Sequence, residues 1–199
     1  MVRRKVEVRR EEILTATLDE VIARGLANVR VADVADALAI SRALVFYHFE
    51  TKERLLAAAL EYAVARDLER LEMTLARDPD AVQRLRHVLR AYGPQGKAPG
   101  WTLWVDAWAS ALRDPKLRRE LRGLDRRWTS ALEGVIRSGV QEGVFVCPDP
   151  GAGARRLAAL LDGLAVQVTV HRRLSRAEMS RWVREAAAAE LGVKPDLLS

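Results

Sequence analysis

The chain has 199 residues, 49% of them hydrophobic, and a formal net charge of +6. This composition predicts a folded protein, and no apolar run reaches the roughly 18–20 residues that a membrane span requires. A charged N-terminus with no apolar segment behind it argues against a secretory signal. The single cysteine, Cys147, excludes an internal disulfide and favours a cytoplasmic protein.

Basic residues are concentrated at the N-terminus. The first ten residues hold five lysines and arginines against one glutamate. Two interpretations stay open for the basic arm that we assign to residues 1–8. It is either a solvated tail or an arm that contacts phosphates.

The apolar residues follow helical spacing, and no segment alternates as a strand does, so we predict an all-α fold of about nine helices. The first helix should end at Gly25. The others are predicted at 31–38, 42–49, 52–75, 81–92, 101–112, 115–142, 152–173 and 176–191, with GPQGKAPG at 93–100 as a connector. The natural division is a three-helix head, residues 1–50, and a larger body, residues 51–199.

Two short helices lie close together in the head. They are separated by a three-residue turn, 39–41, and braced by a preceding amphipathic helix, which is the pattern of a helix-turn-helix. In such a unit the second helix enters the major groove of DNA. Val45 and Phe49 are four residues apart on that helix, so we expect both to pack inward.

The remaining aromatic residues of this helix, Phe46, Tyr47 and His48, cannot all share the inward face. Together with neighbouring hydroxyl and cationic side chains, such a surface suits contacts with DNA phosphates. The alternative is a helical module that docks on another protein through this aromatic patch. Only DNA binding should weaken steeply as the ionic strength rises.

The segment ILTATLDEVIARGLANVRVADVADALAISRALVFYHFETKERLLAAAL, residues 13–60, resembles the N-terminal DNA-binding domain of TetR-family transcriptional regulators. The resemblance implies a bacterial homodimer, most commonly a repressor, that binds a palindromic double-stranded operator and is released by a small-molecule effector. No metal-ligand spacing or nucleophile motif favours an enzyme, and we expect neither a cofactor nor a metal.

The resemblance also implies a set of DNA-contacting residues. The start of the recognition helix would contact a phosphate, the next three residues would face base edges, and the rest would hold the backbone: Ser41; Arg42, Ala43 and Leu44; Tyr47, His48 and Lys52. Of these, Arg42 is the best direct reader, because a guanidinium can pair bidentately with guanine at ~1–3 kcal/mol of discrimination.

Three positions depart from the family pattern. Phe46 replaces a tyrosine, which removes one phosphate hydrogen bond. Ala39 replaces the usual turn glycine, at a cost of ~1 kcal/mol if its backbone is left-handed. Arg30 replaces the threonine that normally caps the second helix; it cannot cap, but it can reach a phosphate.

Tryptophans cluster in the body at i, i+3 and i+7 of one predicted helix. They either fill the core or wall a cavity suited to a flat apolar ligand or a cation. A later helix offers two polar side chains four residues apart. The expected effector site is therefore lined by Trp104, Trp108, Trp101, Gln167 and His171. Asp106 faces away from Trp104 and Trp108 and need not belong to any pocket.

The segments GWTLWVDAWASALRDPKLRRELRGLDRRW, GVQEGVF and LAALLDGLAVQ resemble the C-terminal domain of the BetI-like branch of the family, over about 65 residues. The namesake of that branch responds to choline. Because effectors within the branch are diverse, the resemblance leaves the effector of this chain open.

The last two predicted helices are rich in small residues and carry an apolar stripe of leucines. Two such helices from each of two chains can form a four-helix dimer interface. The competing interpretation is that they cover the core of their own chain.

Overall fold

The structure is a computed structural model that describes residues 2–93 and 99–198, with side chains given for all of these except 2–5 and 99. Within this part of the chain there are nine α-helices and no strand, which confirms the all-α prediction. The helices are α1 Val2–Arg24, α2 Val31–Ala37, α3 Arg42–Phe49, α4 Lys52–Leu75, α5 Ala81–Tyr92, α6 Pro99–Ala111, α7 Pro115–Gln141, α8 Pro150–Val166 and α9 Arg176–Leu191.

Two sequence predictions fall on residues that the structure does not describe in full. The side chains of the predicted arm at positions 3–5 and most of the connector, residues 94–98, lie outside the described residues. In the rest of the chain, none of the described helices is long and apolar enough to cross a membrane.

The bounds of α3, α4, α5 and α9 match the predicted ones. Two other helices begin earlier than predicted, α6 at Pro99 and α8 at Pro150. Proline is favoured in the first helical turn, where its missing N–H would lack a partner anyway. The carboxylate of Asp149 then caps α8 by accepting the Ala152 N–H at 2.9 Å.

The predicted single helix over residues 152–173 is wrong at its C-terminal end. It ends at Val166 and gives way to a π-helical turn, Gln167–His171. Arg172 then adopts a left-handed backbone with φ of 51° and terminates the segment. Such single π-turns appear where the normal helical ladder is locally interrupted.

The chain divides into two compact units, which we describe separately. The first comprises Met1–Arg66 and Thr102–Arg122. The core of its three-helix head is built from residues that are at most 4% exposed, namely Ile13, Leu14, Val21, Val34, Val45 and Phe49. Gly25 ends α1 with φ of 83°, as predicted, and Ile22 in the last turns of this helix is 41% exposed.

The second unit comprises Asp67–Trp101 and Gly123–Ser199. Its core includes the fully buried side chains of Leu85, Val88, Leu132, Ile136, Leu161 and Leu191. Arg156 on α8 donates to Glu190 on α9 with an Nε–Oε2 distance of 2.9 Å, which ties these two helices together. The functional division at residue 50 stays a prediction, since the compact units follow contacts and not roles.

The turn between α2 and α3 includes an alanine in an unfavourable conformation. Ala39 has φ of 51°, in the left-handed region that glycine adopts at no cost. The turn is held by backbone hydrogen bonds from Ala39 N to Asp36 O at 3.1 Å and from Ile40 N to Ala35 O at 3.0 Å. The strain anticipated from the sequence at this position is therefore present.

We predict that Ala39→Gly stabilises the fold by about 1 kcal/mol, because it relieves the left-handed strain at a position where glycine is tolerated. The matched control is Ala37→Gly, in the last turn of α2, which should destabilise by roughly 0.5–1 kcal/mol. Urea unfolding measures both. A lower midpoint for the Ala39 variant would contradict the prediction.

Candidate nucleic-acid interface and aromatic-carboxylate cluster

The recognition helix α3 presents one face to the core and one to solvent. Ser41 caps its N-terminus, with Oγ accepting the Leu44 N–H at 3.2 Å. Val45 and Phe49 are 1% and 4% exposed, as their spacing predicts, whereas Tyr47 is 76% exposed. The buried pair therefore fixes the helix so that its opposite face is available to DNA.

The other predicted DNA-contacting residues surround this face. Arg42 and Ala43 are exposed, and Arg30 is exposed at the start of α2. The Arg30 side chain makes no capping hydrogen bond, as expected, and the side-chain acceptor at this end of α2 comes from Asp33 instead. Its backbone N–H donates to Oδ2 of Asp33 at 2.8 Å. Lys52 is half-buried, with Nζ donating to the Ala27 carbonyl at 3.4 Å.

Two arginines of α1 extend the basic surface beside α3, and the sequence placed them only in a general charge run. The guanidinium of Arg10 lies 5.1 Å from the ring centroid of Phe49. Burial, and then the charges of Arg10 and Arg9, lower the pKa of His48. His48 is therefore neutral at pH 7, and it can still donate one N–H to a phosphate.

The loop between α1 and α2 is held by side chains from two other helices of the first unit. The Leu26 N–H donates to the Asp106 carboxylate of α6, and Lys52 at the start of α4 binds the next carbonyl. Asp106, which the sequence placed outside any pocket, thus fastens α6 to the base of the head.

The five predicted effector residues are divided between the two units. Trp104 and Trp108 belong to the first unit, where their ring centroids lie 5.9 Å apart. Trp101 belongs to the second unit and is 6% exposed. Gln167 and His171 are at the two ends of the π-helical turn, with Gln167 half-buried and His171 exposed. The structure leaves their role in ligand binding a prediction.

Three aromatic rings of the second unit come together around Tyr92, the last residue of α5. The Tyr92 ring lies 6.2 Å from Trp101, and it meets Trp128 edge-on at 5.6 Å. The Trp101 indole N–H donates to the Tyr92 carbonyl at 3.1 Å, which fixes that ring. Trp128 is only 7% exposed.

A carboxylate completes this cluster. The Tyr92 hydroxyl donates to Oδ1 of Asp162 on α8 at 3.1 Å. Burial, assisted by the charge of Asp125, raises the pKa of Asp162 to about 6, against the lowering effect of the Tyr92 hydrogen bond. Asp125 is largely exposed, yet partial desolvation still raises its pKa, opposed by Arg126.

Burial, followed by these two carboxylates, raises the pKa of the Tyr92 hydroxyl. The cluster therefore combines the negative faces of aromatic rings with partly desolvated acids. Both features attract a cation, which would restore the charge balance that burial upsets. Sequence reasoning missed Tyr92, Asp125 and Asp162. A usable signal was the acidic Asp162 within the apolar run LAALLDGLA.

Comparisons with known proteins decide the family. A model of the N-terminal domain of bacterial regulatory proteins of the tetR family matches residues 13–59. A second, BetI-type transcriptional repressor C-terminal, matches residues 81–192. The HTH-type transcriptional regulator BetI of Paraburkholderia phytofirmans is 33% identical over 168 residues, covering 79% of this chain and 80% of that protein. The chain belongs to the TetR family of transcriptional regulators, with a BetI-type C-terminal domain.

Solved TetR-family structures agree. A transcriptional regulator from Saccharomonospora viridis in complex with choline superposes with a TM-score of 0.81 at 30% identity, covering 93% of this chain and 98% of that one. A TetR regulator from Haloarcula marismortui gives 0.80 at 25% identity, covering 94% and 97%. This TetR-family chain is thus a DNA-binding transcriptional regulator and not an enzyme.

We predict that Asp162→Asn stabilises the ligand-free protein at pH 7 by on the order of 2–3 kcal/mol. The folded pKa of about 6 lies above the unfolded value of 3.8. Ionising Asp162 therefore costs stability as the pH rises through this window, and asparagine avoids the cost. Urea unfolding should show the difference at pH 7 and its near disappearance at pH 4. Equal stability at pH 7 would contradict the assignment.

Proposed function

We propose that the protein is a cytoplasmic repressor that binds a palindromic operator as a homodimer and leaves it when a compact organic cation binds. The observation that carries the effector assignment is the cluster of Trp101 and Trp128 around Tyr92, whose hydroxyl binds the Asp162 carboxylate. The choline complex of the Saccharomonospora viridis regulator supports a quaternary ammonium ligand.

In the bound state, α3 enters the major groove of each half-site. Arg42 reads a guanine, and the neighbouring exposed positions contact further base edges. Neutral His48 and the hydroxyl of Tyr47 hold the backbone. Lys52 keeps two of its three ammonium donors for phosphate while binding the Ala27 carbonyl. The proposed contact set is Arg30, Ser41, Arg42, Ala43, Leu44, Tyr47, His48 and Lys52.

The effector acts through electrostatics and ring contacts. A quaternary ammonium cannot donate a hydrogen bond, so it is recognised by aromatic faces and by a carboxylate at close range. Because the ligand stabilises ionised Asp162, its affinity should rise with pH through about 6. Gln167 and His171, which belong to the same unit, stay candidates for further contacts with the ligand, and the role of Trp104 and Trp108 in ligand binding stays a prediction.

Release of DNA is transmitted along α6. This helix carries Trp101 near its start and Asp106 one and a half turns later. Asp106 accepts the Leu26 N–H in the loop between α1 and α2. A ligand that shifts Trp101 would therefore pull on this loop of the head. Coupling of about 1–3 kcal/mol between the two sites would be typical of such a regulator.

Exposed residues on α8, the π-turn and α9 favour the homodimer. Ala159 and Gly163 are exposed on α8, and apart from the adjoining residues and the backbone of α8 itself, no atom lies within 4 Å of where a Gly163 side chain would begin. Val170 is 50% and Trp182 43% exposed. Small residues flanked by exposed apolar ones allow a partner helix to approach closely and bury the neighbours.

The operator experiment uses a labelled palindrome from the promoter of the protein's own gene, followed by fluorescence anisotropy at pH 7.5. Wild-type protein should bind, with affinity falling steeply as salt rises, and choline should release it. Asp162→Asn should bind the operator equally well but resist release. Calorimetry without DNA should show choline affinity rising a few-fold from pH 5.5 to pH 7.5, and only in the wild type.

Sequence-independent binding at physiological salt would defeat the operator assignment. If the protein binds the operator but calorimetry detects no binding of choline, the effector assignment alone would be wrong. Arg42→Ala supplies the control for specific readout, since it should lose discrimination against substituted operators by roughly tenfold or more while folding normally.

The dimer is tested with Gly163→Arg. The added side chain meets open space in the isolated chain, so folding should survive, but it should block a partner helix. Gly134→Arg on α7, where the surroundings are equally open, is the matched control. Sedimentation should give a monomer for the first variant and a dimer for the second. A dimeric Gly163 variant would place the interface elsewhere.

A further inference from the structure

A second potential binding site lies entirely within the second unit and shares no residue with the aromatic-carboxylate cluster. It is a half-open groove of about 90 Å³ between α5, α8, α9 and the short 3-10 turn Pro195–Leu198. Its floor is apolar and consists of side chains at most 7% exposed: Leu89, Leu161, Met179, Val183 and Leu198.

Four arginines line this groove, two from α5 and two from α9: Arg86, Arg90, Arg176 and Arg184. Within residues 2–93 and 99–198, none of the four forms an ion pair. The nearby carboxylate of Glu178 is engaged in capping α9, accepting both the N–H and the hydroxyl of Ser175 at 2.9 and 2.7 Å.

Arg86 is the most constrained member of the set. Its Nη2 donates to the Leu197 carbonyl at 2.6 Å, which holds the guanidinium against the 3-10 turn. Its Nε is buried and has no hydrogen-bond partner. A buried N–H of a guanidinium without an acceptor is costly, and an anion in the groove would offset that cost.

We propose that this groove binds an organic anion with a phosphate or carboxylate head and a short apolar tail. The arginines supply charge-assisted hydrogen bonds to the head, for which a guanidinium is well shaped. The Ser180 hydroxyl, also in the groove, adds a donor. The buried leucine, methionine and valine side chains receive the tail. Neither half of the site alone would select such an amphiphile.

The groove is separate from the surface that we assign to the dimer. Ser180 and the exposed Trp182 are two residues apart on α9, which places them on nearly opposite sides of the helix. A partner chain packed on Trp182 therefore leaves the groove open. The site also requires neither operator DNA nor choline, so it stands or falls independently of the proposed function.

Calorimetry on the full chain at fixed ionic strength tests the site, with hexyl phosphate and hexanoate as probes. Hexanol supplies the tail without charge, and inorganic phosphate supplies the charge without a tail. We expect hexyl phosphate to bind at least tenfold more tightly than either control. Hexanoate binding would extend the class to carboxylates, and its absence would assign the site to phosphate esters. Saturating choline should not compete.

The decisive variant is Arg90→Gln with Arg176→Gln, which removes two exposed guanidiniums and should weaken hexyl phosphate binding roughly tenfold or more. Arg127→Gln with Arg173→Gln is matched in charge and exposure and lies outside the groove, so binding should persist. Unfolding midpoints verify that both variants fold. Equal binding of hexanol, or an unchanged affinity in the decisive variant, would overturn the proposal.

Discussion

The hydrogen bond from the Leu26 N–H to Asp106 is the contact on which the position of the loop after α1 depends. It joins the loop after α1 to α6, while Lys52 joins the next carbonyl of the same loop to α4. Without Asp106, the part-buried N–H of Leu26 would lose its acceptor, and an unpaired buried backbone group is costly. With Asp106 and Lys52, the loop at the base of the head is held by α6 and α4.

The head itself is oriented by a simple division of α3. Val45 and Phe49 take the inward positions, and no arrangement that buries both can also bury Tyr47 on the opposite side. The positive charge of Arg10 beside Phe49 then enlarges the surface that faces outward. The orientation of α3 is thus a result of packing, and the positive charge beside it comes from α1.

The second unit accepts a folding cost at Asp162. A largely buried carboxylate is less stable in its ionised form than a carboxylate in water, and this burial is why the pKa of Asp162 rises to about 6. A hydrophobic residue at this position would pack without that penalty. A ligand whose positive charge lies beside Asp162 would stabilise the ionised carboxylate and so recover part of this folding cost as binding free energy. For this reason a strongly shifted pKa of a buried carboxyl group indicates a candidate binding site.

The local features of the fold could be predicted from the sequence. Periodicity gives the bounds of α3, α4, α5 and α9, and four-residue spacing gives the inward face of α3, because both record the geometry of one helix. The aromatic-carboxylate cluster could not be predicted in this way. Tyr92, Trp128 and Asp162 lie on three helices, and no pattern within any one of them states which faces meet.

Asp106 shows the same limit of prediction from helical spacing, here for a single residue. Its position away from the tryptophans was visible in the helical spacing, but its partner, a backbone N–H 80 residues distant, was not. Backbone groups leave no trace in a side-chain pattern. The π-turn after Val166 was missed for a related reason, since its apolar and polar residues fit an ordinary helix equally well.

The two interpretations left open for α8 describe different faces of the same helix. Leu157, Leu161 and Leu164 are buried in their own chain, so the leucine stripe is core. Once those positions are used, the exposed residues of α8 are two arginines near its start and then the small residues Ala159 and Gly163, with open space above Gly163. A helix whose large apolar side chains are buried in its own chain can still pack on a helix of a second chain. The two backbones must then approach closely, and apolar residues beside the contact are buried with it. Val170 and Trp182 are exposed and available for such burial. The core and the proposed interface therefore use different side chains.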